Sequence, residues 1–325
     1  MPTAGDSGLD VPALTLLWAA RETGLLDALL TETGSAGEAA DIAGVTDRAA
    51  RVTVDALVDL GFFYRTDGAV EPTNRALGLL ATRDIRSIGR VPAELDQFAA
   101  LASLPAAMRA DEQAARDQSA DEQPGRPQRD RQQRIRHRLG ADYAVDAPTV
   151  QATVDGILAA NPGADQVLAL ADGPGRHACE LAERGPAVTL LDGHEVIDAV
   201  DPLLAGSGVE PVARSLMEID PASFDLVFLV DGMWPSAPAE NRFTLRAVER
   251  ALAPGGAFVA AEPLRGRSDA MPAVAAKALA TGLGEPYTEA TIAGWCAAAG
   301  LGEVEASDVP GTPYQAIVAE RHSED

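Results

Sequence analysis

Residues 167–192, VLALADGPGRHACELAERGPAVTLLD, constrain the chain more than any other stretch. An apolar run at 167–171 stops at Asp172-Gly173-Pro174-Gly175, a helix-like segment follows, and a second apolar run at 188–191 closes on Asp192. Two buried strands joined by one helical crossover pair in parallel, because antiparallel neighbours are joined by short hairpins instead. In an open sheet of that kind ligands gather at the carboxyl ends of the strands, where the 172–176 loop sits. Gly173 and Gly175 let a ligand approach the backbone closely, and the following helix presents its amino terminus. Asp192, 17 residues after Gly175, ends the second strand, where a carboxylate can accept hydrogen bonds from both hydroxyls of a ribose.

The rest of the carboxyl-terminal half repeats the alternation. Further strands are predicted at 209–213, 226–230 and 257–261, with helices between them. A last pair, around Val304 and at YQAIVA (314–319), reads as an antiparallel hairpin closing the sheet. The expectation is a doubly wound, mostly parallel α/β sheet over residues 147–325.

A different pattern precedes it. Val11, Leu14 and Trp18 share one helical face, and TGLLDALL supplies Leu25, Leu26, Leu29 and Leu30. Glu38 to Ala43, a turn at Gly44, and a second helix N-capped by Thr46 and carrying Val54, Leu57 and Val58 make a helix-turn-helix. FFYRTDGAVEPT then reads as a hairpin turning at Asp67-Gly68, the wing of a winged helix. Residues 1–90 carry 13 acidic against 8 basic side chains, the wrong sign for a phosphate-binding face, so interaction or dimerisation is expected rather than DNA binding. Helix is predicted to continue over 87–108 through Leu95, Phe98, Leu101 and Leu104. Residues 109–138 hold a single strong hydrophobe, Ile135, and read as a solvated linker or mobile loop. Their arginine cluster, RPQRDRQQRIRHR, either offsets the acidic surface or holds an anionic substrate or RNA. The domain division is therefore 1–108, a charged linker and connecting helix at 109–146, and 147–325.

Composition narrows the partners. With 49 acidic against 26 basic residues the formal net charge is -23, which repels nucleic acid and anionic membrane. Lys277 is the sole lysine among those 26 basic residues. This pairing of acid excess with arginine resembles the proteins of salt-loving archaea; an acidic protein from a GC-rich genome is the alternative. Cys179 and Cys296 lie in Ala- and Leu-rich segments, so neither a disulfide framework nor a zinc site is expected, and no metal is called for. No run approaches the roughly 20 apolar residues of a membrane helix, and the chain is read as cytoplasmic.

From the helix-turn-helix to DLVFLVDGMW, ALAPGGAFVAAEPL and YTEATIAGWCAAAGL, the chain resembles the S-adenosylmethionine-dependent O-methyltransferases that carry an N-terminal winged-helix dimerisation domain. The resemblance spans nearly all of residues 10–320 apart from 109–134. It implies a Rossmann-like class I methyltransferase domain, a homodimer formed through the N-terminal domain, S-adenosylmethionine as donor, and a small hydroxylated acceptor lying between the domains. Carried over residue by residue, it assigns donor binding to Asp172, Gly173, Gly175, Asp192, Gly193, Ser215, Leu216 and Val230. In that family the protein aligns an acceptor oxygen with an electrophilic methyl group, and a histidine after the fourth strand takes the phenolic proton.

Several motif positions depart from the family. Ala169 stands where an acidic residue is usual in the first strand, Ala171 replaces the first motif glycine, and Asp172 replaces another common glycine. Ser215 stands where an acid holds the adenine amino group, and Trp234 takes the place of the histidine base. The expectation is O-methylation without that base, with Asp231, Trp234 and Glu262 as catalytic candidates and His137 as a further proton acceptor. Trp234 either meets the sulfonium or an aromatic acceptor, or simply packs. His177 reads as structural, His194 as flanking the adenine or lying in a surface loop, Glu262 as facing the cleft, and Tyr143 as packing. Two other functions compete: a donor-binding relative that no longer methylates, and a non-catalytic binding or regulatory protein.

Overall fold

The computed structural model describes residues 8–80, 84–109, 128–282 and 284–322. They form two compact units, one within Met1–Ala102 and Arg129–Ala144, the other within Ser103–Gln128 and Val145–Asp325.

Local signals account for the first unit. Asp10 accepts the amide of Ala13 to start helix Val11–Glu22, Ser35 caps Ala36–Ala43, and Thr46 caps Asp47–Asp59 by accepting the amide of Ala49. Gly44, at φ 67, ends the first helix of that last pair in the left-handed conformation a glycine adopts without strain. Strands β1 (Phe63–Thr66) and β2 (Ala69–Pro72) pair antiparallel around Asp67 and Gly68, both at positive φ, as a two-residue hairpin requires. Leu17, Leu26, Leu57, Phe62 and Leu95 form its core, each burial stabilising the unit by about 1.5–3 kcal/mol.

Two expectations need correction here. The helix predicted over 87–108 is broken: Gly89 sits at φ 69, and separate helices run Val91–Ala102 and Leu104–Ala107, each with proline near its start. Residues 128–138 are not a linker or loop, because Gln128–Tyr143 is a helix, though 131–134 and 138 are exposed as a solvated tract would be. It buries His137, Leu139 and Gly140 and leaves Arg134 and Arg138 in solvent, so its apolar stripe is too narrow to show in composition. Gly140 touches Ile88, and a Cβ there would come 2.6 Å from the Ile88 Cβ. The remainder of the expected linker, residues 110–127, lies outside the described residues.

The second unit is built on a seven-stranded sheet. Strands β3 (Gln166–Leu170), β4 (Ala187–Leu191), β5 (Val209–Val212), β6 (Phe224–Val230), β7 (Leu252–Glu262), β8 (Leu301–Asp308) and β9 (Gln315–Arg321) lie in the order β5-β4-β3-β6-β7-β9-β8. The first five are parallel, and β9 runs antiparallel between β7 and β8. Order reverses between β3 and β6, which fixes the crevice where ligands bind in such sheets. The LAPGG segment, expected before the fifth strand, is drawn into β7 instead. Phe224 pairs with Leu252 and Leu226 with Ala257, so the extra residues form a bulge in β7, with Gly255 at φ 76. Leu168, Val227, Phe258 and Ile317 are fully buried at the centre of the sheet, as expected for strands covered on both faces.

Candidate active site

Register aligns the strand ends. Leu170 faces Leu191 on one side and Leu229 on the other, and Val230 faces Ala261. Four adjacent parallel strands therefore finish on a carboxylate within a residue or two of one another: Asp192 after β4, Asp172 after β3, Asp231 after β6 and Glu262 at the end of β7. The chain continues pairing for one residue beyond β3 and β6, where Ala171 donates to the Leu191 carbonyl and Asp231 to the Ala261 carbonyl. It then turns sharply. Ala171 (φ 51) and Asp231 (φ 53) both take the left-handed conformation that costs a residue with a side chain on the order of 1–3 kcal/mol. Strained backbone at two neighbouring strand ends is a feature of sites where geometry is held for a purpose.

The turn after β3 is fastened from within. Asp172 is buried, its Oδ1 lies 2.5 Å from His177 Nδ1, and its Oδ2 accepts the Ala178 amide at 2.9 Å. Its carboxylate thus anchors helix Arg176–Glu183, and His177 has the structural part expected of it. Gly173 (φ 53) and Gly175 (φ 74) carry the reversal. The φ of 74 at Gly175 favours glycine independently of any ligand, and a Cβ there would also lie 2.7 Å from Leu204 Cδ2. Ala169, between Leu190 and Phe228, is fully buried in the sheet.

The second strand end is more open. Asp192 is half-buried, and its Oδ1 accepts the Gly193 amide at 2.7 Å. Gly193 caps helix His194–Leu204, with His194 exposed. After β5, Ser215 opens a short 3-10 turn, accepting from the Met217 amide while Glu218 accepts the Ser215 amide. Ser215 is therefore a cap, and Leu216 packs against the core. Val230 is half-buried at the last position of β6.

The loop after β6 is the most constrained part of the edge. Glu262, only 2% exposed, accepts the amides of Gly232 and Met233 at 2.7 Å through Oε1 and that of Trp234 at 3.5 Å through Oε2. Asn241 donates to the carbonyls of Met233 and Ser236, and the Tyr287 hydroxyl donates to the Ser236 carbonyl at 2.6 Å. Gly284 lies against the same loop: a Cβ there would fall 2.0 Å from the Trp234 carbonyl oxygen. Held this way, Trp234 donates its indole N–H to Asp231 Oδ1 at 2.5 Å. Asp231 is crowded by neighbours yet keeps an exposed surface.

Electrostatics follows from that crowding. Burial, and then the Asp231 charge, push the Glu262 carboxyl up to about 8 against the pull of the amides it accepts. Burial likewise raises Asp231, opposed by its bond from Trp234 and by the charge of Lys277. Sequence reasoning named Asp231, Trp234 and Glu262 as candidates one by one but missed Asn241, Tyr287, Gly284 and Lys277. A lone lysine in an arginine chain was the one signal available for the last of these.

Other candidates lie elsewhere. In the first unit, His137 Nδ1 is 2.6 Å from Asp96 Oδ2, and Arg21 donates to Asp96 Oδ1 at 2.9 Å. Burial alone would raise the Asp96 carboxyl, but His137 and then Arg21 outweigh it and hold it below the usual range. His137 is thus already committed to a carboxylate of its own unit. Tyr143 is half-buried in that unit as well. Among the described residues no group of three or more His, Cys, Asp or Glu could hold a metal ion, and no helix is long and apolar enough to cross a membrane.

No protein-family description and no curated protein matches the sequence. Solved structures do match over nearly the whole chain. PigF with S-adenosylhomocysteine aligns at a TM-score of 0.68 and 18% identity, covering 95% of this chain and 96% of its own. The Streptomyces davawensis N,N-8-amino-8-demethyl-D-riboflavin dimethyltransferase aligns at 0.67 and 18%, covering 97% and 96%. Human N-acetylserotonin methyltransferase in complex with S-adenosylmethionine aligns at 0.65 and 16%, covering 98% and 100%. The chain has their fold. Its second unit is the seven-stranded, mostly parallel sheet expected from the sequence, and a helical unit precedes it.

Proposed function

We propose that the chain is an enzyme that binds S-adenosylmethionine and transfers its methyl group to a small molecule without a histidine base. The observation that carries this reading is the carboxyl edge itself. At the point where strand order reverses, the 171–175 turn runs through three left-handed residues, and the half-buried Asp192 ends the neighbouring strand. The residues present fit the donor. The exposed Asp231 and half-buried Asp192 suit a cation, Gly173 offers backbone without a side chain, and Asp192 suits a ribose.

Bound there, the donor supplies an electrophilic methyl carbon. The chain's own residues do the rest. Asp192 with Gly193 orients the ribose, while Gly173, Gly175, Ser215, Leu216 and Val230 border the donor; Asp172 serves it indirectly, by fixing the turn through His177 and the Ala178 amide. Glu262, Asn241 and Tyr287 hold the loop so that Trp234 and Asp231 keep one position relative to the reacting centre. Alignment of this kind accounts for much of the rate in a displacement that needs little covalent help.

The same reading makes the first unit a winged-helix dimerisation module. Val11, Ile42, Val52, Tyr64 and Leu77 are large apolar residues exposed on it, which supports burial against a second copy. It also makes the acid excess an adaptation to a salt-rich cytoplasm.

Calorimetric titration of S-adenosylmethionine into the protein in molar potassium chloride tests the donor. Micromolar binding that Asp192→Ala abolishes is the expected result. Absence of binding heat at several temperatures would refute it.

A further inference from the structure

The loop after β6 raises a chemical question of its own. A phenolic acceptor with a pKa near 10 must lose its proton before it attacks, which is the work of the family's histidine. In this loop the group at that position is an indole, which only donates, and its N–H is given to Asp231. An amine arrives as an ammonium of comparable pKa, so it too must shed a proton, but unlike a phenol it brings a positive charge that a carboxylate holds while taking that proton.

We propose that Asp231 and Trp234 receive a protonated amine, which makes the acceptor of the methyl transfer a nitrogen rather than a phenolic oxygen. The inference rests on the proposed function, since it names the acceptor class for that same site. Its geometry is specific. Asp231 Oδ1 is taken by the indole N–H at 2.5 Å, which fixes the ring and the carboxylate relative to each other, and Asp231 keeps an exposed surface. A carboxylate beside an aromatic ring is a receptor for an organic cation, by ion pairing at the edge and by attraction to the ring face.

The loop cannot yield easily, because Glu262 binds three of its amides, Asn241 two of its carbonyls, Tyr287 one, and Gly284 leaves no room for a side chain. Such fastening is warranted where a ring must be held at a set angle. The titratable groups facing Asp231 are Glu262, whose carboxyl is raised to about 8 and so holds its proton below that pH, and Lys277, which acts on Asp231 through space and opposes a cation. A phenolate at this place would meet the Asp231 carboxylate.

The step balances. The ammonium gives one proton to the exposed Asp231 carboxylate. The freed nitrogen lone pair forms the bond to the methyl carbon as the carbon–sulfur bond breaks with its electrons going to sulfur. The product is a methylated ammonium and a neutral thioether, and Asp231 returns its proton to solvent.

Calorimetry on the full chain with phenethylamine and its neutral counterpart 2-phenylethanol tests the assignment without turnover. Phenethylamine should bind saturably and about tenfold more tightly than the alcohol, in proportion to a charge-assisted contact. Asp231→Asn should remove that preference while leaving the alcohol unchanged, and Trp234→Leu should weaken both. Equal binding of amine and alcohol, an unaltered preference in Asp231→Asn, or no saturable amine binding each overturns the inference. Trp234→Leu guards against an unfolded Asp231→Asn. Donor titration is read separately: donor bound without amine sinks this inference alone, and amine bound without donor sinks the proposed methyl transfer.

Discussion

Replacing Glu262 by Gln should flatten the dependence of stability on pH. In the folded chain the carboxyl is raised to about 8, against 4.5 for its ordinary value. Below pH 4.5 both folded and unfolded chains carry the proton, and this residue adds no slope. Between 4.5 and 8 only the folded chain holds it, so stability falls with rising pH by up to about 1.4 kcal/mol per unit. Above 8 the loss is complete and level. From pH 5.5 to 8 the expected loss is about 3 kcal/mol, or roughly 6 °C in Tm for a unit of this size. Gln keeps an oxygen for the Gly232 and Met233 amides, so the loop should stay in place while the charge is gone. Differential scanning calorimetry of both proteins at fixed potassium chloride gives the comparison. Asp84 and Asp96, whose pKa values are lowered, titrate outside this window and leave the difference intact. Parallel Tm profiles would refute the reading of Glu262 as a buried acid that charges only at a cost.

Other substitutions probe the same edge. Asp172→Ala removes the acceptor of His177 and of the Ala178 amide and should cost about 2–4 kcal/mol in denaturant unfolding; a change under 0.5 kcal/mol would mean that the turn stands without it. Gly284→Ala drives a Cβ onto the Trp234 carbonyl at a φ of +64, so at least about 2 kcal/mol of destabilisation is expected, along with a change in tryptophan emission. Unchanged emission and Tm would show that the loop is looser than its hydrogen bonds indicate. With a net charge of -23 the chain repels itself, so Tm should climb by several degrees between 0.1 and 2 M potassium chloride, and a flat or falling Tm would contradict that repulsion.

The sheet was legible in the sequence because its strands are continuous apolar runs between glycine-rich turns, and β3 and β4 fell within a residue of their predicted ends. A connecting helix was expected within 109–146, but its start at Gln128 was not, because the helix buries so few side chains that arginine dominates its composition. At the site, sequence reasoning picked out Asp172, Asp192, Asp231 and Glu262 singly. Their alignment depends on register between strands far apart in the chain, which no local pattern carries. Asp172 shows the limit most sharply. Its position beside two glycines suggested a ligand contact, whereas its carboxylate is spent on His177 and Ala178. The anchors of the Trp234 loop, Asn241 and Tyr287, act through backbone carbonyls, and a bond to a carbonyl leaves no trace in the identity of the residue that receives it.

The row of strand-end carboxylates has a kinetic side. In the proposed reaction the donor enters as a cation and leaves as an uncharged thioether, so the same edge attracts one and is indifferent to the other. Exchange of spent cofactor for fresh is then biased by charge alone. The bias concerns the spent cofactor and should fade as salt screens Asp192 and Asp231, the less buried members of the row.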